Sequence, residues 1–141
     1  MAKAFDCPLF GGDTTATTGP LTFSLTAFGL VPKGEMVRRT TMHTKDLIAV
    51  TGSIGDAALG LLVKSEAEAG WVKKLNPATR AYLRDRYLHP QPRLALAGSL
   101  RRLAHAAMDV SDGLIGDLVK MLRVSAQTGW IEVEKVPFSP A

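Results

Sequence analysis

Cysteine is nearly absent from this 141-residue chain: Cys7 stands alone. One thiol closes no internal disulfide, so the sequence predicts a protein of a reducing compartment, the cytoplasm. No base is signalled beside Cys7, which reads as a small core residue and not as a nucleophile. Long apolar runs are missing as well. None approaches the ~20 residues of a membrane-spanning helix, and the N-terminus has no signal-peptide layout, so no membrane partner is expected. The three histidines, His43, His89 and His105, lie far apart without metal-ligand spacing, and each reads as a surface or packing residue. Basic residues are dispersed, so the net charge of +4 suits anionic ligands but supplies no stripe for nucleic acid. Tandem repeats and low-complexity tracts are absent. What is present is a globular profile, 46% hydrophobic and 21% charged, long enough for one ordinary core and short for two.

The stretch that organises the rest is Met108-Asp109-Val110-Ser111-Asp112-Gly113-Leu114. An apolar run from Leu103 to Met108, broken only by His105, leads into it. Leu114, Ile115, Leu118, Val119 and Leu122 lead out at helical spacing. The pattern predicts a buried strand ending near Asp109 and a helix beginning just after Ser111. Such a turn gathers two carboxylates and a hydroxyl at a helix N-terminus, a place that attracts phosphates and metals. Capping accounts for part of it: Ser111 suits the N-cap, Asp112 favours the helix dipole, and Gly113 permits a tight turn. Capping does not account for Asp109, whose carboxylate at the end of an apolar segment needs a partner. A cation is one candidate, and a backbone group or an arginine is the other.

Taken in order, residues 1–6 read as the last turn of something and Cys7–Phe10 as a short buried strand. It runs into Gly11-Gly12-Asp13-Thr14-Thr15, where two glycines allow close approach of a ligand and three side chains offer hard oxygens. A polar surface turn explains the same residues. Leu21 to Val31 alternates as a strand, and Pro32-Lys33-Gly34 closes it. A polar connector follows, with Arg38 and Arg39 able to fork onto phosphate or simply to face solvent. Leu47–Val50 reads as a strand turning into a helix, with Ser53 and Asp56 as a capping box and Ala57, Ala58, Leu61 and Leu62 as its buried face. Small residues at Ala57, Ala58 and Gly60 would let this helix approach another backbone closely. Trp71 to Asn76 is an amphipathic connector, Pro77 opens a helix running to about Leu88, and another helix follows from about Leu94 to His105. Gly129 stops the helix after the central turn, and Trp130–Val133 is a final strand.

Four stretches in series, Gly11–Thr15, Val50-Thr51-Gly52-Ser53-Ile54-Gly55-Asp56-Ala57-Ala58, Pro90-Gln91-Pro92-Arg93 and Met108–Leu114, resemble the thiamine-monophosphate kinase family. The superfamily includes aminoimidazole ribonucleotide synthetase. The likeness covers essentially the whole chain. It implies direct, Mg²⁺-assisted transfer of the γ-phosphate of ATP to thiamine monophosphate, giving thiamine diphosphate, in a cytoplasmic homodimer. By resemblance Asp13, Asp109 and Asp112 are Mg²⁺ ligands, and Gly12, Asp13, Arg39 and Ser111 lie at ATP. No protein side chain is assigned a covalent or acid–base role, because phosphoryl transfer asks mainly for positioning and charge neutralisation.

The resemblance also implies an internal piece of a longer α+β protein of α/β-sandwich type. Residues 1–32 would end a β-rich N-terminal ATP- and Mg²⁺-binding domain, 33–45 would link, and 46–141 would begin a mixed-sheet C-terminal domain packed with helices. The family has a segment before the glycine pair and another after the final strand, where substrate-pocket residues lie. Lys45 stands where the family has a glycine before Asp46, and Thr40-Thr41 where it has Ser-Gly. Two other functions stay open: a non-catalytic truncated module that self-associates through an unfinished sheet edge, and another ATP-using synthetase of the same superfamily.

Overall fold

The alternating apolar residues of the 21–31 stretch stand out in solvent: in the computed structural model Leu21, Phe23, Leu25 and Leu30 are 82%, 88%, 91% and 105% exposed. The structure describes residues 5–65 and 70–141, so Met1–Ala4 of the expected N-terminal turn lie outside the described residues. The chain divides into two units, Met1–Met36 and Val37–Ala141. The described part of the first unit is extended chain with local turns. Gly34, at φ 86°, sits where Glu35 N–H bonds back to Pro32 O at 3.0 Å. Cys7, expected in a core, is exposed.

The second unit is helical. Among the described residues five α-helices run in order, α1 Asp56–Lys64, α2 Gly70–Lys74, α3 Pro77–Leu88, α4 Ala97–Leu103 and α5 Leu114–Val124, with 3-10 turns at Leu94–Leu96 and Val133–Lys135. No described helix is long and apolar enough to cross a membrane.

The expected α+β fold with a mixed sheet is therefore overturned. Among the described residues there is no strand, and the one ladder contact is an isolated parallel bridge between Arg38 and Ala106. The stretches 7–10, 21–31, 47–50 and 130–133 all fail to pair. A strand draws its hydrogen bonds from a neighbouring strand, so period-2 patterning makes a sheet only where a partner lies alongside. A helix satisfies its backbone within itself, and the helical expectations accordingly fare better.

Pro77 and Leu88 bound α3 as expected, with Asn76 as N-cap accepting from Thr79 N–H at 2.8 Å. The core is small: Val63 of α1, Val72 of α2 and Leu83 of α3, with Leu75 packed against them. Gly60 makes the α1–α3 approach possible, since a Cβ there would stand 2.0 Å from Leu83 O. The buried face of α1 is Asp56, Gly60 and Val63, not the expected Ala57, Ala58, Leu61 and Leu62. α3 lies against the former side, and that neighbour decides which stripe is covered.

Ser53 and Asp56 do not form a capping box. α1 begins at Asp56 itself, with Gly55 as its left-handed N-cap. The Asp56 carboxylate, 5% exposed, instead accepts from the hydroxyls of Ser53, Tyr82 (2.8 Å) and Ser139 (2.6 Å). Burial pushes its pKa up, but the bonds from Ser139, Ser53 and Tyr82, with the nearby Arg86 charge, outweigh this and hold it below the ordinary value. Together with Ile54 N–H to Pro137 O at 2.8 Å, they fasten residues 137–139 to the start of α1.

Candidate functional site

The central turn folds around a residue that its motif does not contain. Asp117, four residues into α5 and 2% exposed, turns its carboxylate back toward the helix entrance. Its Oδ2 accepts the backbone N–H groups of Ser111 at 2.9 Å, Asp112 at 3.0 Å and Gly113 at 3.2 Å. Its Oδ1 accepts from Lys120 Nζ at 2.9 Å, and the same ammonium reaches Asp112 Oδ2 at 2.5 Å. The hydrogen bond from Lys120, and those from the Asp112 and Ser111 backbone, prevail over burial and hold the Asp117 pKa at about 2. Asp112 and then Asp117 raise that of Lys120.

This geometry corrects the expected capping. The N-cap of α5 is Gly113, at φ 128°, which has no side chain to cap with; the Asp117 carboxylate takes the turn's N–H groups from inside the helix. Ser111 is exposed, and its backbone N–H rather than its hydroxyl makes the turn's hydrogen bond. The N–H groups that a phosphate would use are thus taken by the protein's own carboxylate. What the turn offers outward is negative charge. Asp109 is exposed and makes no hydrogen bond or ion pair among the described residues, and Asp112 is exposed with Lys120 on one oxygen. The turn thus carries three carboxylates against one ammonium, with Asp117 already satisfied by three N–H groups and Lys120.

The remaining expected site residues are placed as follows. Gly12 and Asp13 lie in the first unit, exposed, with Asp13 Oδ1 accepting from Thr14 N–H at 2.8 Å. Arg39, in the second unit, is exposed and makes no hydrogen bond or ion pair among the described residues. The expected metal ligands are divided between the units, Asp13 in one and Asp109 with Asp112 in the other. Arg93, from the Pro90–Arg93 stretch, lays its guanidinium over Gly52, where a Cβ would stand 2.3 Å from a guanidinium nitrogen.

Sequence reading missed a second group. His43, Asp46 and His105 come together, with one ligand atom from each within 4.8 Å of the others. His105 Nδ1 stands 2.7 Å from Asp46 Oδ1, and the two imidazole centroids are 4.1 Å apart. The Asp46 carboxylate is held below its ordinary pKa by the His43 backbone N–H and then by His105. The partners lie 59 residues apart in sequence, so no local spacing announces them.

No protein-family model matches the chain. Individual curated proteins do, and they are kinases. They carry the name thiamine-monophosphate kinase: the chain is 41% identical over 136 residues to that of Caulobacter vibrioides and 38% over 142 residues to that of Escherichia coli K12. The kinase of Bacillus subtilis is 32% identical over 130 residues. These matches cover 96%, 100% and 89% of the chain but 36%, 42% and 38% of the relatives. The chain thus spans about two fifths of the length of the curated relatives it matches, and its resemblance to thiamine-monophosphate kinase, stated above on four motifs, holds over nearly its whole length.

Proposed function

We propose that this chain is part of an ATP-dependent kinase that phosphorylates thiamine monophosphate to thiamine diphosphate. The observation that carries the reading is the 37–41% identity to thiamine-monophosphate kinases over 96–100% of the chain in several bacterial relatives. In this reading residues 1–32 belong to an ATP- and Mg²⁺-binding domain, 33–45 to a linker and 46–141 to part of the C-terminal domain. The working form is a cytoplasmic homodimer.

The donor chemistry fits Mg²⁺, which takes carboxylate oxygens and keeps water. Among the described residues, Asp109 has both oxygens free, Asp112 has one beyond its Lys120 contact, and Asp13 has one beyond its Thr14 contact. Bound there, Mg²⁺ would neutralise charge on the transferring phosphoryl group. The chain's own work is positioning. Asp117 fixes the turn that carries Asp109 and Asp112, Arg39 is free to fork onto a phosphate, and Gly12 leaves room for the nucleotide beside Asp13. Ser111 keeps its hydroxyl for ATP, since its backbone alone serves Asp117.

The test is a chimera in which this chain replaces the matching stretch of the Escherichia coli kinase. ATP-dependent formation of thiamine diphosphate is then measured with and without Asp109→Asn. An active chimera that loses turnover on that change supports the reading. A folded chimera that binds thiamine monophosphate yet transfers no phosphate contradicts it.

A further inference from the structure

Asp109, Asp112 and Asp13 are all-oxygen donors, but the cluster of His43, Asp46 and His105 has different chemistry. Two imidazoles and one carboxylate are borderline donors. They suit late first-row divalent ions, whereas Mg²⁺ wants oxygen alone. The cluster is also held from outside. His43 and Asp46 bracket a tight turn, with Asp46 N–H on His43 O at 3.2 Å, His43 N–H on Asp46 Oδ2 at 2.8 Å, and Lys45 at φ 73°. The segment carrying His105 is tied to the same region: the Thr41 hydroxyl donates to His105 O, and Ala107 N–H donates to Arg38 O at 3.2 Å. Both backbones that bring the ligands together are therefore fixed by bonds that do not involve the imidazoles.

We propose that His43, Asp46 and His105 form a binding site for a divalent transition-metal ion, with Zn²⁺ the best fit, distinct from any Mg²⁺ at the central turn. Metal–nitrogen and metal–oxygen bonds of about 2.0–2.2 Å in a tetrahedron put ligand atoms roughly 3.3 Å apart. The ligand atoms here lie within 4.8 Å, with the hydrogen-bonded His105–Asp46 pair at 2.7 Å, about half an ångström inside the spacing a metal would set. Both histidines are exposed, so ring rotation closes the difference without moving the core. The fourth position is left for solvent. A pocket of about 110 Å³ adjoins the group, lined by His43 and Asp46 together with Met42, Ile48, Leu122 and Gln127, and has room for that water. An ion bound here joins the 43–46 turn to the segment entering the central turn, a link of 59 residues or more in sequence.

The proposal stands independently of the kinase reading, and its test uses the metal alone. Co²⁺ is titrated into the chain while its visible d–d absorption is followed, then displaced with Zn²⁺ or with Mg²⁺. The expected result is one Co²⁺ per chain, intense tetrahedral-type bands, displacement by Zn²⁺ and none by equimolar Mg²⁺. His43→Gln and His105→Gln each weaken binding by about tenfold or more. Far-ultraviolet circular dichroism confirms that these exposed-site variants keep their helices. Zn²⁺ also raises the Tm of the parent chain and not of the variants, by mass action. Absent Co²⁺ bands, displacement by Mg²⁺ as readily as by Zn²⁺, or folded variants binding as the parent does would each overturn the proposal and leave the cluster an ion pair.

Discussion

Asp117 and Ser111, six residues apart, meet at 2.9 Å through a carboxylate oxygen and a backbone N–H. With the N–H groups of Asp112 and Gly113 on the same oxygen, the central turn is wrapped around an anion that the protein itself supplies. Removing that anion leaves three N–H groups without their acceptor. Asp117→Ala is therefore expected to lower Tm by several degrees and to raise amide exchange at residues 111–113 specifically. Thermal unfolding and hydrogen exchange check this, and unchanged exchange there would show the turn to be held by something else.

The pH dependence of the same contact has a definite sign. Asp117 titrates at about 2 in the folded protein, below its ordinary 3.8. Its contribution to stability is thus fully present above pH 3.8 and is lost as pH falls toward 2. Asp117→Asn is expected to flatten that acid limb of the stability curve, measured by urea unfolding at successive pH values. A limb of unchanged slope in the variant would assign the loss to other carboxylates.

Gly60 sets the spacing of α1 and α3. A Cβ at this position meets the Leu83 carbonyl oxygen at 2.0 Å, and backbone cannot step aside as a side-chain tip can. Gly60→Ala is expected to destabilise by about 1–3 kcal/mol despite its better helix propensity. The shift of the urea midpoint measures it. A stabilised variant would mean that the two helices separate at no cost.

Tyr82 reaches across from α3 to give its hydroxyl to Asp56 at 2.8 Å. Tyr82→Phe keeps the ring and removes the donor, with an expected loss of about 1 kcal/mol, since Ser53 and Ser139 still serve the carboxylate. Ser139→Ala is expected to loosen residues 137–139 as well, read as faster amide exchange at Ile54, whose N–H bonds Pro137 O. Protection of Ile54 that survives Ser139→Ala would show that the backbone bond suffices.

At the proposed catalytic turn, Asp109 is the carboxylate with no partner among the described residues. Asp109→Asn is expected to reduce phosphoryl transfer by the chimeric kinase about a hundredfold, as loss of a metal ligand removes several kcal/mol of charge stabilisation. Because Asp109 is exposed, Tm is expected to stay within about a degree. Steady-state kinetics beside thermal unfolding separate the two effects, and a parallel fall in both would make Asp109 a structural residue.

The helices were legible because helix signals are local. Proline at the first position and asparagine before it mark α3, and the spacing of Leu114, Leu118 and Leu122 marks α5. Gly60 was legible as a point of close approach, since smallness needs no partner to be recognised. Even so, the face of α1 that is buried was set by where α3 lies, and Ala57 and Leu61 remained in solvent. The strands were not legible in this sense at all. Leu21 to Val31 alternates as a strand should, but hydrogen bonds between strands belong to pairs, and the described residues provide no pair for it.

The sequence by itself determined the likeness to thiamine-monophosphate kinases and the position of the acidic turn, because residue identity and short spacing carry both. Only the tertiary structure decided who serves whom. It gave the turn's N–H groups to Asp117, left Asp109 without a partner among the described residues, and brought His105 to Asp46 and His43 across 59 or more residues. Contacts of that length depend on where the backbone is carried by packing and bridging, and no local pattern encodes that path.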